Sequence, residues 1–230
     1  QELDIILGKN FLITTHYESI DALFEFSKLF ETQMLRGRHD SHMNGGYLFY
    51  ALLLHLYRTL EGLADYLNED IEIAERGVFD GKERAMVEEL STLSRRVIGY
   101  RLALKPHAEI WKLFEADSIR LFGATYGRHT TSIEAAAQKI WNMLESAREA
   151  ISALRETNDS LLTAKTNETL VHLSMMAFVV FPLTLIAGVF GMNSQNVPII
   201  GHPNDFWIII ALMGVATIFI FSYFKIRKWL

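Results

Sequence analysis

Two apolar runs near the C-terminal end constrain this chain more than any other feature. Residues 169–190 read TLVHLSMMAFVVFPLTLIAGVF, with His172 as the only titratable side chain, and residues 206–224 read FWIIIALMGVATIFIFSYF, without a charge. An α-helix of about 20 residues crosses the ~30 Å hydrocarbon core of a bilayer, and both runs have that length. Core helices of globular proteins rarely exceed ~14 apolar residues without a charged face, so a pair of buried core helices explains the pattern less well.

The flanks of the runs set an orientation. The stretch from Ser194 to Asp205 holds no Lys or Arg, whereas Lys225, Arg227 and Lys228 follow the second run directly. Positive residues stay on the cytoplasmic side of a membrane. The expectation is a multi-pass protein of the cell (inner or plasma) membrane, with its short loop outside and its N- and C-termini cytoplasmic. Trp207 and Trp229 bracket the second span where interfacial aromatics belong. Pro182 sits inside the first span, where it removes one backbone hydrogen bond and permits a bend.

Up to about residue 167 the chain is rich in Glu, Asp, Lys and Arg, as in a soluble protein. Its net charge of −5 and the lack of a Lys/Arg block interleaved with aromatics argue against a nucleic-acid partner. Without cysteine there is no disulfide and no thiolate metal site. No nucleophile–base pair, phosphate loop or His-Glu-x-x-His spacing occurs, so an enzyme is not expected.

The opening ELDIILGKNFLITTHY predicts two short strands around Gly8-Lys9-Asn10. Two strands alone are marginal. As the sequence starts at Gln1 and not at Met, earlier strands of the same sheet are expected to precede it. Helices follow: from Ser19 or Asp21 to Leu35, from Tyr47 to about Ala74, from Arg84 to Leu104, and from His107 to about Phe122. The stretches RGRHDSHMNGG, ERGVFDGKE and GATYGRHTTS separate them.

From Ser132 to Phe190 the spacing predicts one helix, about 90 Å long at 1.5 Å per residue. Ile133, Ala137, Ile140, Leu144, Ala147, Ile151 and Leu154 recur at steps of four and three, a heptad seam that Leu161 continues and polar Asn158 and Lys165 interrupt. Such a seam predicts packing against other helices, with copies of the same stalk as candidates. A second stripe, Glu149, Ser152, Glu156, Ser160, Thr163 and Asn167, faces another way and runs on as Leu170, Ser174, Phe178, Phe181, Thr184 and Gly188. It reads either as a solvated face that becomes a lipid face, or as the wall of a water-filled path surrounded by copies.

AKTNETL, FPLTLIAGVFGMN, the following VP and the terminal KIRKWL together resemble the CorA family of divalent-cation channels, and LGKNFLIT resembles the last strands of that family's cytoplasmic domain. The resemblance implies a funnel-shaped homopentamer whose stalk helices continue as pore-lining spans, with the second span outside. It implies a selectivity signature at Gly191, Met192 and Asn193, where a ring of asparagines recognises a hydrated cation. Mg2+ sheds water reluctantly, so neutral carbonyl oxygens suit the hydrated ion. By the same resemblance Asn167, Leu170, Ser174, Phe181, Thr184 and Gly188 line the pore, as does Phe178 from the stripe. Leu170 with Leu173 forms a hydrophobic constriction, and Glu156 is a pore-lining acid. Lys225, Arg227 and Lys228 join a basic collar, or simply anchor the inner side.

Three departures from the family pattern bear on the ion. Val197, Pro198 and Ile199 stand where many members carry Met-Pro-Glu, leaving Asp205 as the loop's acid; Phe181 replaces a common methionine; His172 replaces a frequent lysine. His172 and His202 lack the close partners that zinc ligands need.

The fold expected is mainly α with a small N-terminal β remnant, a truncated α+β cytoplasmic domain, followed by a long stalk helix and a two-helix transmembrane hairpin. Its domains are a cytoplasmic part at 1–131, the stalk at 132–168, the first span at 169–190, the external loop at 191–205, the second span at 206–224 and a basic tail at 225–230. The function expected is divalent-cation transport, with Mg2+ first and Co2+ or Ni2+ as surrogates. Alternatives are a ZntB-like Zn2+ transporter, with or without proton coupling in the manner of a carrier, and a membrane-anchored coiled-coil scaffold. No cofactor is expected; the divalent cation serves as transported ion and regulator, and the partners are further copies of the chain and the lipid bilayer.

Overall fold

The structure is a computed structural model describing residues 2–35, 44–192, 199, 201 and 203–226. It divides into two compact units, Gln1–Ser160 and Leu161–Leu230. The first unit opens with the hairpin read from the sequence: β1 (Leu3–Leu7) pairs antiparallel with β2 (Leu12–His16), Leu7 opposite Leu12 and Leu3 opposite His16. Side chains alternate across a strand, and here Leu3, Ile5, Leu7 and Leu12 turn to the half-buried face. Under that face lies a cavity of about 1030 Å3, which Phe49, Tyr57, Trp111 and Phe114 also line.

Among the described residues six α-helices follow: α1 (Asp21–Leu35), α2 (Gly45–Phe79), α3 (Glu83–Leu104), α4 (His107–Phe122), α5 (Gly127–Phe190) and α6 (Asp205–Ile226). A 3-10 turn, Ala124–Tyr126, leads into α5. Two helices are longer than their periodicity predicts. α2 begins two residues before Tyr47 because the Asn44 side chain accepts the Tyr47 N–H at 2.9 Å and caps the end. It passes Ala74 and stops only beyond Phe79, where Gly81 takes a left-handed φ of 85°. α5 begins five residues before Ser132. The GATYGRHTTS stretch looks like a break, yet Tyr126 is buried and its hydroxyl donates to the Gly46 carbonyl at 2.8 Å. Thr130 is buried as well, its hydroxyl 3.1 Å from that of Ser118 on α4.

Gly45 ties α2 to the hairpin. Its N–H donates to the Lys9 carbonyl at 3.0 Å, and a Cβ there would lie 2.2 Å from the Gly8 carbonyl oxygen. Only glycine allows the two main chains so close.

The seam predicted on α5 is real, but its partners are the chain's own helices. Ile133, Ile140 and Leu144 are at most 2% exposed, and Ala137, Ala147, Ile151 and Leu154 are buried with them. Polar contacts mark what covers them: Lys139 pairs with Glu61 of α2, Arg101 of α3 pairs with Glu145 at 2.7 Å, and Arg101 also lies over the Trp141 ring. A fully buried Leu or Ile contributes about 1.5–3 kcal/mol relative to an exposed one, so the seam is a main part of this unit's core. The reading of this seam as a contact between stalk copies is therefore corrected. Asn158, taken from the sequence as an interruption, is instead the seam's next member and is buried too.

A smaller polar cluster lies at the cavity. Trp111 Nε1–H donates to the Tyr57 hydroxyl at 2.9 Å, and that hydroxyl lies 2.7 Å from His107 Nδ1. Burial pushes the Tyr57 phenol up to about 12, against the lowering effect of the Trp111 bond, and pushes His107 below its ordinary value.

The second unit holds the rest of α5 and α6. Both α5 and α6 are long and apolar enough to cross a membrane, and neither apolar stretch is buried within the chain. The helix α6 starts at Asp205 and ends at Ile226, one residue earlier and two later than its apolar run.

Candidate functional site

The candidate site is a face of α5, and helix geometry decides which side chains share it. At 3.6 residues per turn, positions three and four apart align. Glu149, Ser152, Glu156, Ser160, Thr163 and Asn167 all lie on the exposed surface of α5, unlike the seam residues between them. Polar residues thus occupy the side that the chain's own helices leave uncovered.

The same face continues through the span. Leu170, Leu173, Ser174, Phe181, Thr184 and Gly188 are exposed; Phe181 reaches 71%. The half-covered positions of the span are Met175, Ala177, Val179, Pro182, Leu183, Ile186 and Phe190; all but Ala177, which lies on the stripe's own face, fall on the other side of the helix. On α6 they are Asp205, Ile209, Met213, Ala216, Thr217 and Ile220, with Phe224 buried. The sequence offered no sign of this pattern, since most positions nearby are equally apolar. Phe178 sits between the faces: it is exposed, but its ring meets the buried Phe224 ring edge-on at 6.3 Å. It belongs less clearly to the stripe than its spacing predicts.

Along the span, polar groups of the stripe are few. The Thr184 hydroxyl donates to the Val180 carbonyl at 2.8 Å, which leaves its oxygen lone pairs outward. Ser174 is exposed. Around Leu170 and Leu173 the surface is apolar. Such a face supplies neutral oxygen and hydrocarbon, and no charged group that would bind a bare cation tightly.

Beyond Phe190 the helix ends at Gly191, whose N–H donates to the Ala187 carbonyl at 2.8 Å; a Cβ there would lie 2.9 Å from the same oxygen. Met192 follows, 61% exposed. Asn193, Val197, Pro198 and His202 lie outside the described residues, as do Arg227, Lys228 and Trp229 at the other end. Lys225 is described and exposed.

Asp205, the loop's acid, has backbone donors beside it. Its Oδ1 accepts the Phe206 N–H at 2.6 Å, and its Oδ2 lies 3.4 Å from the Gly201 nitrogen. A carboxylate in the first turn also complements the helix dipole of α6. It braces the end of its own loop. His172 has a neighbour one turn back, with Nε2 3.9 Å from a Glu168 carboxylate oxygen, both well exposed. Among the described residues no group of three or more His, Cys, Asp or Glu side chains converges as a metal site.

Comparison with known proteins agrees with this layout. The sequence matches the family described as "CorA-like Mg2+ transporter protein" over residues 1–227. It is 28% identical over 192 residues to the cobalt/magnesium transport protein CorA of Thermotoga maritima, covering 80% of this chain and 52% of that one. To the cobalt/magnesium transport protein CorA of Methanocaldococcus jannaschii it is 24% identical over 229 residues, covering 99% and 71%. The chain thus spans between about half and seven-tenths of these relatives. The fold matches the solved CorA magnesium transporter of Methanocaldococcus jannaschii with a TM-score of 0.87 at 22% identity, over 98% of this chain and 71% of that one. A solved structure of full-length CmaX matches with a TM-score of 0.73 at 20% identity, over 99% and 68%. These relatives are transporters and not enzymes. With the family matched along nearly all of its length, and the fold along with it, this chain belongs to the CorA-like Mg2+ transporter family.

Proposed function

We propose that this chain is the pore-forming part of a divalent-cation channel, in which several copies, five by family likeness, surround an axis with the uncovered stripe of α5 facing inward. The observation that carries it is the split between the two faces of one helix. From Ile133 to Asn158 the chain's own helices cover the seam, and Met175, Val179, Pro182 and Ile186 are half covered on the other side of the span, while the stripe from Glu149 to Gly188 is left bare. A bare polar face on a soluble segment is ordinary. In the span the row is largely apolar, but it keeps exposed Ser174 and Thr184 at the same helical spacing, and polar groups of a span are better placed toward water or copies of the chain than toward lipid.

On this reading Glu156 and Asn167 contact water-borne cations, Leu170 and Leu173 form the narrow apolar level where dewetting halts ions, and Ser174, Phe181, Thr184 and Gly188 line the remaining path. Gly191, Met192 and Asn193 stand at the outer mouth, and the Asn193 carbonyl oxygens select a cation that keeps its water. The N-terminus, the C-terminus and the basic Lys225, Arg227 and Lys228 are cytoplasmic. The preferred ion is Mg2+, with Co2+ or Ni2+ as surrogates and the ion itself as regulator. A Zn2+ transporter is the second reading, favoured by the absence of glutamate from Val197-Pro198-Ile199.

The deciding experiment is ion uptake into liposomes that hold the full-length protein, comparing Mg2+, Co2+, Ni2+ and Zn2+ with and without a pH gradient. The expected result is Mg2+ entry that ignores pH and falls at least about tenfold in Asn193→Ala, roughly the loss of one 1.4 kcal/mol selectivity contact. Proton-driven Zn2+ entry would move the chain to the second reading. No flux of any ion, with Asn193→Ala tolerated, would leave a scaffold.

A further inference from the structure

We infer that Asn158 is a positioning residue: the buried amide that fixes the axial register of α5 against α3 and thereby sets the level of the pore-lining stripe. The inference rests on the transport reading above for its functional half, and on the packing of Gln1–Ser160 for its structural half.

Seven seam positions of α5, Ile133 to Leu154, are apolar and spaced by alternating steps of four and three; the next step of four lands on Asn158. Asn158 is 1% exposed. Its Nδ2–H donates to the Glu83 carbonyl, at the first residue of α3, at 3.1 Å, while its Oδ1 is buried with no hydrogen-bond partner among the described residues. One step earlier on the helix, the Arg155 guanidinium lies 3.4 Å from the Leu90 carbonyl. Asn158 is the last buried position of α5; none of Asp159–Phe190 is buried.

An apolar seam has little power to fix register. It presents the same kind of surface again after each step of three or four residues, so a slide by one step still meets hydrocarbon with hydrocarbon. A hydrogen bond to one particular main-chain carbonyl has a single solution. A polar residue at a seam position gives up stability and gains register, as its half-satisfied amide does here. The stripe positions Ser152, Glu156 and Ser160 lie on the turns of α5 around Asn158, within the same compact unit, so the register set at Asn158 is theirs too.

Asn158→Leu tests this, because leucine completes the apolar seam and the variant is expected to fold with a raised Tm. These 230 residues hold no cysteine, so, with any cysteine of a longer chain replaced, Glu88→Cys and Ser152→Cys, both at exposed positions, can be spin-labelled in the full-length protein diluted with unlabelled chains. With Asn158 present, one distance is expected. With Asn158→Leu, a second or displaced distance is expected, offset by about 5 Å for a slide of one turn. Liposome Mg2+ flux should change with it, by roughly 2- to 30-fold in rate or in the internal Mg2+ that halves it. An unchanged distance distribution overturns the inference, whatever the flux. A displaced distance with wild-type flux and regulation overturns the positioning role. If the parent protein conducts no ion, the channel reading fails by that result alone, and the distances still decide the register.

Discussion

Leu93 on α3 and Leu185 on α5 are the same side chain in opposite circumstances: the first is fully buried, the second 68% exposed. The contrast between their regions is one of degree. In Gln1–Ser160 a core that includes Leu52, Leu67, Leu90, Leu93, Ile133 and Leu144 is buried within the chain, although Ile73, Leu102 and Leu113 stay exposed. In Leu161–Leu230 apolar side chains are exposed over most of both helices, and among the described residues Phe224 alone is buried. The first region supplies an apolar core of its own; the second does not. Side-chain hydrophobicity alone does not tell the two apart. Length without charge does, because a soluble helix must keep a polar face and a spanning one need not.

The sharpest way to break that comparison is a carboxylate in the intramolecular seam. Ile140→Asp should cost about 4 kcal/mol or more, since the seam positions around it are apolar and offer no cation to pair with it, and should abolish cooperative melting of Gln1–Ser160. Dispersal of copies with an intact melt would return the seam to an interface between stalks. A charge in the second region should act differently. Val215→Lys, near the middle of α6 and 66% exposed, should lower membrane integration by about 3 kcal/mol while leaving the body's melt unchanged. Carbonate extraction reads the first effect and limited proteolysis of the body the second; normal integration would mean that Val215 does not face lipid.

A smaller effect sharpens the comparison at one buried group. His107 has its pKa lowered by burial, so the native state favours its neutral form beside the Tyr57 hydroxyl, while the unfolded chain protonates near the ordinary value of about 6.5. More protons are then bound by the unfolded chain, and stability falls as pH drops below about 6.5 toward the folded value. His129, lowered by burial and by Arg128, adds in the same direction. Tm should be level above neutral pH and decline on acidification, and His107→Gln should make that decline shallower. An identical slope in the variant would assign it to other groups.

Much of this layout is legible in the sequence. The hairpin, the cores of the helices and both spans are written in local patterns: alternation in LDIIL and LITTH, helical spacing, and uncharged runs. The seam's period was legible too, but its partner was not. A heptad stripe states that something covers it and is silent about what; here the cover comes from residues some 40 to 90 positions earlier, such as Glu61 and Arg101, and such long-range pairings leave no local trace. Helix ends failed for a related reason. The Thr130-Thr131 pair beside glycines reads as a break, but Thr130 is drawn into α5 by its hydroxyl contact with Ser118. Asn158 was misread because a polar residue in an apolar series looks like an interruption until its acceptor is seen. Asp205 was legible as an acid, and its commitment to two backbone N–H groups of its own loop was not.

The glycine under the hairpin has a bearing on how tolerance to substitution should be read along this chain. At position 45 any side chain drives an atom into the Gly8 carbonyl, so a saturation library would return almost nothing but the native residue there. A map built from such a library would score Gly45 beside Gly191 and Asn193, the residues proposed for the outer mouth, as though it shared their proposed role. Gly45 handles nothing. It is a spacing shim between a helix and a turn, and its intolerance measures a gap of a few ångströms.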